Sequence, residues 1–438
     1  MDILALLGVI LAISAIIYLT TKNLHVVLAA PLASLVVILT NQMDILDSLL
    51  GKEQSYMVGL TGFLINNFAI FLLGSILASY MEKSGASQSI AQAILKLVGK
   101  DKPFSVLLAI TIVASILTYG GVSIFVVIFT LLPLSRPLFK ELNINWELFP
   151  IPVFLGASTY TLTALPATPS IQNAIPTKVL GTSLTAAPVL GILASLTMLV
   201  FGLCYMSYAL KKSLKKGETY METGDSESDI SESNQQLPSL FVSCLPLLGL
   251  LATIFVFSKM PNILVVGLTI SILLSALLFK PFLPNQKEVL NAGTTASIIP
   301  AFATSSTVAF GAVLTASTGF SLIQAAIRSI PGSPLISLSL STALLSGILG
   351  SASGAIGIVS ANFLPSYLEM GIQPELLHRV TVIASAALTV VPQSGVMITF
   401  HNLSKLSMKR ALKHSFIIVN GGHILALIVI LLAAHFLY

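Results

Sequence analysis

Charged residues are scarce in this sequence. Only 9% of its 438 residues are Asp, Glu, Lys or Arg, and 55% are hydrophobic, whereas about a quarter of the residues of a soluble domain are charged. A chain of this composition cannot form a water-facing surface around its whole perimeter, which excludes a soluble enzyme or binding domain. The charges sum to +5 and cluster in loops, where basic residues set membrane topology, so we expect no nucleic-acid partner.

Several motifs that carry chemistry are also missing. No GxxxxGK[ST] sequence is present, which argues against transport driven by ATP. The two cysteines, Cys204 and Cys244, lie in or beside apolar segments, and neither CxxC nor HExxH occurs, so we expect no disulfide, no metal site and no cofactor. Serines abound, but no serine–histidine pairing can be argued. We therefore predict no catalytic residues and no enzyme activity.

Long apolar runs dominate what is present. A spanning helix needs about 20 apolar residues, and only helices or closed barrels satisfy every backbone polar group in lipid. The runs lack the alternation of barrel strands, so helices are indicated. We predict an all-α polytopic membrane protein of about 10 to 12 transmembrane helices, based on the runs Ile3–Leu19, Val26–Leu39, Phe68–Ala78, Phe104–Leu117, Val189–Leu203, Leu240–Phe257, Ile263–Phe279 and Ile424–Leu437 and on the interrupted segments between them.

One polar stretch divides the chain. After Leu210 come four lysines, followed by six acidic residues before Leu240. Such a segment cannot bury a core, and lysines that abut a membrane end face the cytoplasm. The predicted organisation is an N-terminal transmembrane half at 1–210, a disordered cytoplasmic linker at 211–238 and a C-terminal transmembrane half at 239–438.

The two halves repeat each other weakly, with three blocks in the same order. SGASQSIAQAI from Ser84 matches TGFSLIQAAI from Thr318, TYGGVSIFVVIFTLLP ending at Pro133 matches GSASGAIGIVSANFLP ending at Pro365, and ASTYTLTALP (Ala157–Pro166) matches ASAALTVVP (Ala384–Pro392). Internal repeats are typical of transporter folds. We predict two homologous halves, which are inverted if each half has an odd number of spans.

Both halves carry interruptions at corresponding places. Pro166, Pro169 and Pro176 cannot all lie in one straight helix, and Pro392 with Gly395 occupies the matching position of the second half. Paired broken or re-entrant helices indicate the substrate site of a transporter. Glycine-rich interruptions at 119–123 and 350–354 accompany them, with close helix packing as the alternative explanation.

Broken helices expose N-terminal N–H groups that bind anions without a charged side chain. Hydroxyl and amide side chains beside such ends suit a small organic anion. The predicted substrate-binding residues are Gly120, Gly121, Ser123, Thr163, Thr168, Gln172, Asn173, Ser351, Ser353, Gly354, Gln393, Ser394 and Gly395.

Few ionisable residues lie near these interruptions. Lys178 is a candidate counter-ion or a lysine that extends to the membrane surface. His401, the only histidine that the sequence places near the site, is a candidate proton carrier or a buried hydrogen-bonded side chain. His378 and Arg379 follow Pro374 at a helix start, and we expect an interfacial structural role for them, with attraction of anions as the alternative.

The motifs GGVSIFVVIFTLLPL, LTALPATPSIQNAIPTKVLGTSLTAAPVLG, GSASGAIGIVSANFLPSYLEMGIQPELLHRV and PQSGVMIT resemble the gluconate:proton symporter (GntP) family of the ion-transporter superfamily. They are most similar to its 3-hydroxybutyrate-permease-like branch. The resemblance implies a homodimeric carrier in a bacterial plasma membrane that imports hydroxylated carboxylates with protons. Gln393 stands where that branch typically has a histidine, so the side chain that titrates near neutral pH is absent from this position.

We therefore predict a secondary active transporter that imports gluconate- or 3-hydroxybutyrate-type acids by cation symport, with a proton preferred to sodium. Its partners are the organic anion, the co-transported cation and the lipid bilayer. Sodium coupling through unwound carbonyls and a passive anion facilitator or channel remain open as alternatives, and an intramembrane enzyme is the least favoured.

Overall fold

A computed structural model describes residues 2–22, 24–98, 102–119, 124–168, 170–220, 237–257, 262–328 and 333–437. The described part contains helices and turns and no β-strand, which confirms the all-α fold class. The predicted residues Gly120, Gly121 and Ser123 lie outside these ranges.

The described residues of the first half form ten α-helices. They are α1 (Asp2–Thr21), α2 (Val26–Thr40), α3 (Ile45–Leu50), α4 (Tyr56–Lys83), α5 (Ala86–Val98), α6 (Pro103–Tyr119), α7 (Ile124–Glu141), α8 (Pro150–Ala157), α9 (Ile171–Leu180) and α10 (Pro188–Lys215). A 3₁₀ turn lies at Trp146–Leu148 and a π-helical turn at Tyr160–Ala164.

Eleven α-helices lie within the part of the second half that the structure describes. They are α11 (Leu240–Val256), α12 (Ile263–Leu278), α13 (Gln286–Thr315), α14 (Thr318–Arg328), α15 (Pro334–Leu349), α16 (Ala352–Asn362), α17 (Leu364–Glu369), α18 (Pro374–Ala384), α19 (Gly395–Ser404), α20 (Met408–Phe416) and α21 (Gly422–Leu437). A 3₁₀ turn lies at Lys280–Phe282, and a π-helical turn at Ile417–Gly421 joins α20 to α21.

Ten helical segments in the described part are candidates for crossing a membrane by length and composition. Five are at least 18 residues long, namely Ile3–Thr20, Tyr56–Lys83, Pro188–Lys215, Gln286–Thr315 and Met408–Ala434. Five shorter apolar helices add Val26–Thr40, Pro103–Tyr119, Leu240–Leu250, Ile263–Leu278 and Pro334–Leu349. This number agrees with the expected polytopic architecture.

The two halves pack with reciprocal contacts. Helix α4 lies along α13, and α10 lies along α21. Helix α1 contacts α14, and its counterpart α11 contacts α5. In the same way, α2 contacts α13 while α12 contacts α4, and α9 contacts α16 while α19 contacts α7. Reciprocal contacts are what a two-fold relation produces, so the packing supports two related halves. Their inverted orientation stays a prediction.

The predicted linker is shorter than its sequence suggested. Helix α10 continues to Lys215, and the residues after it pack on the first half. Asn145 Nδ2 donates to Glu218 Oε2 at 2.8 Å, and the buried ring of Tyr220 meets that of Trp146 edge to face at 6.0 Å. The predicted disorder is therefore wrong for 211–220, and residues 221–236 lie outside the described part.

Candidate functional site

The chain is interrupted at both places that the sequence marked. In the first half, α8 ends at Ala157, the π-helical turn follows, and a further turn at 165–167 precedes α9, which begins at Ile171. In the second half, α18 ends at Ala384 and irregular turns run to α19, which begins at Gly395. Pro176 lies within α9, so the first break falls ahead of it. Broken helices are therefore confirmed in both halves.

Hydroxyl side chains satisfy the backbone groups that the first break exposes. Thr168 Oγ1 donates to the carbonyl of Thr161 at 2.6 Å, and Ser170 Oγ donates to that of Leu162 at 2.7 Å. Unpaired carbonyls buried in a membrane protein are costly, and these bonds replace the missing helical ones. The threonine- and serine-rich composition of this segment is thus explained by the break itself.

Asn173, on the first turn of α9, is fully buried and completely bonded. Its Nδ2 donates to the carbonyls of Thr168 at 2.9 Å and Leu184 at 2.8 Å, while Oδ1 lies 3.0 Å from Nε2 of His378. The predicted ligands Thr163 and Asn173 hold the fold of the break in this conformation and offer no free polar atom. Their contact with substrate stays a prediction.

Arg379 lies at the centre of this region. Both His378 and Arg379 are 0% exposed, so the structural role expected for them is exerted inside the protein, and their interfacial depth stays a prediction. The guanidinium of Arg379 donates to the carbonyl of Ala186 from Nε at 3.0 Å and Nη2 at 2.7 Å, and Nη1 reaches the carbonyl of Thr163 at 3.2 Å. Longer bonds of 3.4 Å to Leu184 O and Asn173 Oδ1 complete the set.

All of these acceptors are neutral oxygens. Within the described residues no carboxylate forms an ion pair with Arg379, so these contacts place no opposite charge beside its guanidinium. Because α18 belongs to the second half and every acceptor to the first, the side chain also joins the two halves.

The second break brings two helix N-termini together. Gly350, between α15 and α16, has φ +60°, and a Cβ on it would lie 3.0 Å from Cα of Ser394. Ser394 precedes the first residue of α19 and makes no side-chain capping bond to that helix. The start of α16, with Ser351, Ser353 and Gly354, therefore lies beside the start of α19, with Gln393, Ser394 and Gly395.

Gln393 has an unsatisfied oxygen at this junction. Its Nε2 donates to the carbonyl of Gly347 at 3.1 Å, and the side chain is 2% exposed. Its Oε1 has no hydrogen-bond partner among the described residues. A buried amide oxygen without a donor is costly, so this atom is available to a ligand.

The first half reaches this junction through α9, which packs against α16. Gln172 is half-buried on α9, and its side-chain amide bonds to no other described residue. Gln172 thus lies on a helix that packs against α16, and its contact with the six predicted residues of the second half stays a prediction. Thr163, Thr168 and Asn173 form the separate cluster around Arg379.

Sequence reasoning missed one contributor. Thr304, in the run Thr304–Thr307 on α13, donates from Oγ1 to the carbonyl of Gly395 at 3.2 Å and lies 2.8 Å from Oγ1 of Thr399. A Cβ on Gly395 would meet Thr304 Cγ2. Four consecutive hydroxyl residues within a spanning segment were the available signal.

The two coupling candidates lie away from both clusters. Lys178 is exposed near the C-terminal end of α9 and pairs with no other described residue. His401 donates from Nδ1 to the carbonyl of Leu406 at 2.6 Å, roughly 10 Å along α19 from its start. The expectation that His401 is the only histidine near the site is wrong, because His378 bonds to Asn173 and His423 Nε2 lies 2.9 Å from Thr163 Oγ1.

Comparisons with known proteins find similarity to membrane transporters. The sequence model of the family described as "CitMHS: Citrate transporter" matches residues 5–292. The "Uncharacterized transporter YxjC" of Bacillus subtilis (strain 168) is 30% identical over 459 residues, covering 94% of this chain and 95% of that protein. The crystal structure of the Alcanivorax borkumensis YdaH transporter aligns with 87% of each chain at 15% identity and a TM-score of 0.39.

Proposed function

The chain belongs to the CitMHS citrate transporter family, and from this premise we propose that it is a secondary active carrier of hydroxylated carboxylates. It is a multi-pass membrane transporter and not an enzyme. The candidate substrates are citrate, gluconate and 3-hydroxybutyrate. Citrate is indicated by the family, and gluconate and 3-hydroxybutyrate are indicated by the motifs that resemble gluconate:proton symporters. All three combine a carboxylate with a hydroxyl group.

The junction at Gly350 carries this proposal. Two helix N-termini side by side supply N–H groups for a carboxylate, and the unpaired Oε1 of Gln393 can accept a hydrogen bond from a substrate hydroxyl. A site built to pair with a hydroxyl rejects analogues that lack it, because the buried acceptor then remains unpaired. This combination selects hydroxy acids over plain carboxylates.

Arg379 adds a long-range contribution. Its charge has no carboxylate partner among the described residues and lies where water screens it weakly. A buried cation of this kind favours entry of an anion without contacting it. Intramembrane charged residues typically serve substrate or ion pathways.

The proposed transport cycle uses cation symport, with a proton preferred to sodium. The proposed setting is a bacterial plasma membrane, in which the carrier forms a homodimer with the linker at 211–238 on the cytoplasmic side. The lysines at the end of α10 support this orientation through the positive-inside rule.

Ligand-dependent stabilisation tests the substrate class. A thermal-shift series on the purified protein compares citrate with tricarballylate and 3-hydroxybutyrate with butyrate, pairs that differ by one hydroxyl. We expect the hydroxylated member of at least one pair to raise the melting temperature, since a ligand at 100 times its Kd stabilises by about 2.7 kcal/mol. The analogue without a hydroxyl should bind more weakly by about 1 to 3 kcal/mol.

Gln393→Leu is the matching variant. It should remove the discrimination within the pair while costing the unliganded protein only about 1 kcal/mol, for the lost bond to Gly347. Asn362→Leu serves as control, since Asn362 is an exposed amide on α16 whose Nδ2 also donates to a carbonyl, that of Ile358. Equal stabilisation by both members of each pair in the wild-type protein would contradict the proposal.

A further inference from the structure

His423 is a buried titratable side chain that the proposed anion site does not use. It lies in the first turn of α21, within an apolar spanning segment, and is 0% exposed. Its neighbours come from two π-helical turns, since Thr163 belongs to Tyr160–Ala164 and Val419 to Ile417–Gly421. Such turns occur frequently at functional sites.

The bonds of the ring define which nitrogen can titrate. Nδ1 lies 2.7 Å from the carbonyl of Val419, and because a carbonyl only accepts, Nδ1 must carry a hydrogen. Nε2 lies 2.9 Å from Oγ1 of Thr163, a hydroxyl that can donate or accept. A proton can therefore be gained or lost only at Nε2.

Both protonation states are fully hydrogen-bonded. In the neutral ring, the hydroxyl of Thr163 donates to Nε2. In the protonated ring, Nε2–H donates to Oγ1, and the hydroxyl hydrogen turns to the carbonyl of Thr159, 3.1 Å away. A rotation of one hydroxyl thus exchanges the two states without leaving a buried group unpaired.

Thr163 also connects this histidine to Arg379. Its carbonyl accepts from Nη1 of Arg379 at 3.2 Å, so one residue contacts both basic side chains. An added positive charge on His423 is repelled by the guanidinium in a weakly screened environment. A substrate anion bound at the Gly350 junction offsets that repulsion through its long-range field, and by linkage anion binding and protonation then favour each other.

We propose that Nε2 of His423 carries the co-transported proton, a proposal that rests on the transport function argued above. On loading, the proton forms one N–H bond with the Nε2 lone pair, and on release that bond breaks and the proton leaves to water. No other bond changes. The anion and the proton stabilise each other's binding, which is the requirement for symport.

Other titratable groups occur on the elements packed against α21. On α18 they are Glu375, His378 and Arg379, and on α10 they are Cys204, Tyr205, Tyr208, Lys211, Lys212 and Lys215. Tyr160 lies in the first π-helical turn, which reaches α21 through Thr163, and Lys409, Arg410, Lys413 and His414 lie on α20, which precedes the π-helical turn before α21. Of these, Arg379 shares Thr163 with His423. His414 bonds instead to Tyr205, with Nδ1 and Oη 2.9 Å apart.

His423→Gln tests the proposal in proteoliposomes loaded with the purified full chain. Labelled citrate and 3-hydroxybutyrate are the probes, each measured for accumulation under an imposed inward proton gradient and for tracer exchange at equal pH. We expect the variant to lose accumulation and to keep exchange, since exchange does not require the proton to be released. Dye-detected proton uptake on probe binding should fall from about one per bound anion to none.

His414→Gln is the control, because His414 is also buried within the same span, and it should behave as the wild type in both assays. If His423→Gln does not fold, the proposal is tested with Thr163→Ser and Thr163→Val. Serine keeps the hydroxyl and should preserve the coupling of anion uptake to the proton gradient, whereas valine lacks it and should abolish that coupling. Gradient-driven accumulation by His423→Gln or Thr163→Val at the wild-type level would overturn the proposal.

The outcomes for the wild-type protein separate this proposal from the transport function. If accumulation of the labelled anion depends on a sodium gradient and not on the proton gradient, the role of His423 is overturned and the carrier function is not. Failure of the wild type to bind or move either probe would overturn both.

Discussion

Replacing Arg379 by methionine is expected to abolish uptake of citrate and 3-hydroxybutyrate and to lower the thermal stability of the purified protein. The substitution keeps most of the side-chain volume but removes the charge and all donors. The carbonyls of Ala186, Thr163 and Leu184 would then lose the guanidinium bonds that the structure provides. Each buried group left unpaired costs about 1 to 3 kcal/mol, so a loss of several kcal/mol is expected.

Arg379→Lys separates charge from geometry. Lysine keeps the positive charge but lacks the planar fork of donors, so it should recover anion binding better than stability. Arg410→Met is the matched control, since Arg410 is half exposed and its Nε lies 3.2 Å from Glu147 Oε1. Surface pairs of this type contribute about 0 to 1 kcal/mol. Wild-type uptake and melting temperature in Arg379→Met would exclude a central role for this residue.

Gly350→Val is expected to reduce uptake by at least about tenfold, which corresponds to about 1.4 kcal/mol. A left-handed conformation costs a side-chain-bearing residue roughly 1 to 2 kcal/mol, and φ is +60° at this position. The new Cβ would also press on the backbone of Ser394. The two helix N-termini would then move apart, which weakens carboxylate binding directly.

Two further glycines serve as controls for this effect. Gly181 also has a positive φ, +65°, but no atom lies within 4 Å of an added Cβ, so Gly181→Ala reports backbone strain without the contact. Gly357, on α16, has free space and no positive φ, and Gly357→Ala should leave uptake unchanged. Equal uptake by Gly350→Val and Gly357→Ala would show that the junction does not form the site.

Hydropathy and proline positions predicted much of the architecture. The helical class and the two breaks were accessible because proline and glycine act locally on the backbone. The expected repeat agrees with the reciprocal helix contacts. Local chemistry therefore determined where the helices stop.

Prediction from the sequence failed for side chains whose hydrogen-bond partners lie far away in the chain. Arg379 follows Pro374 and Glu375, a pattern typical of an interfacial helix start, and nothing nearby indicates that its acceptors lie in the other half of the chain. His423 lies within a continuous apolar run, which concealed its contact with Thr163. The hydroxyls of the first break were interpreted as ligands, although the same break requires them for its own carbonyls.

Concentrative uptake tests the central claim most directly. The wild-type protein is reconstituted in sealed vesicles, and internal labelled citrate or 3-hydroxybutyrate is measured at equal external concentration, with and without an imposed cation gradient. The account predicts that at least one of these acids accumulates above its external concentration when the gradient is present and only equilibrates when it is absent. Equilibration under every gradient would identify a passive facilitator and contradict the account.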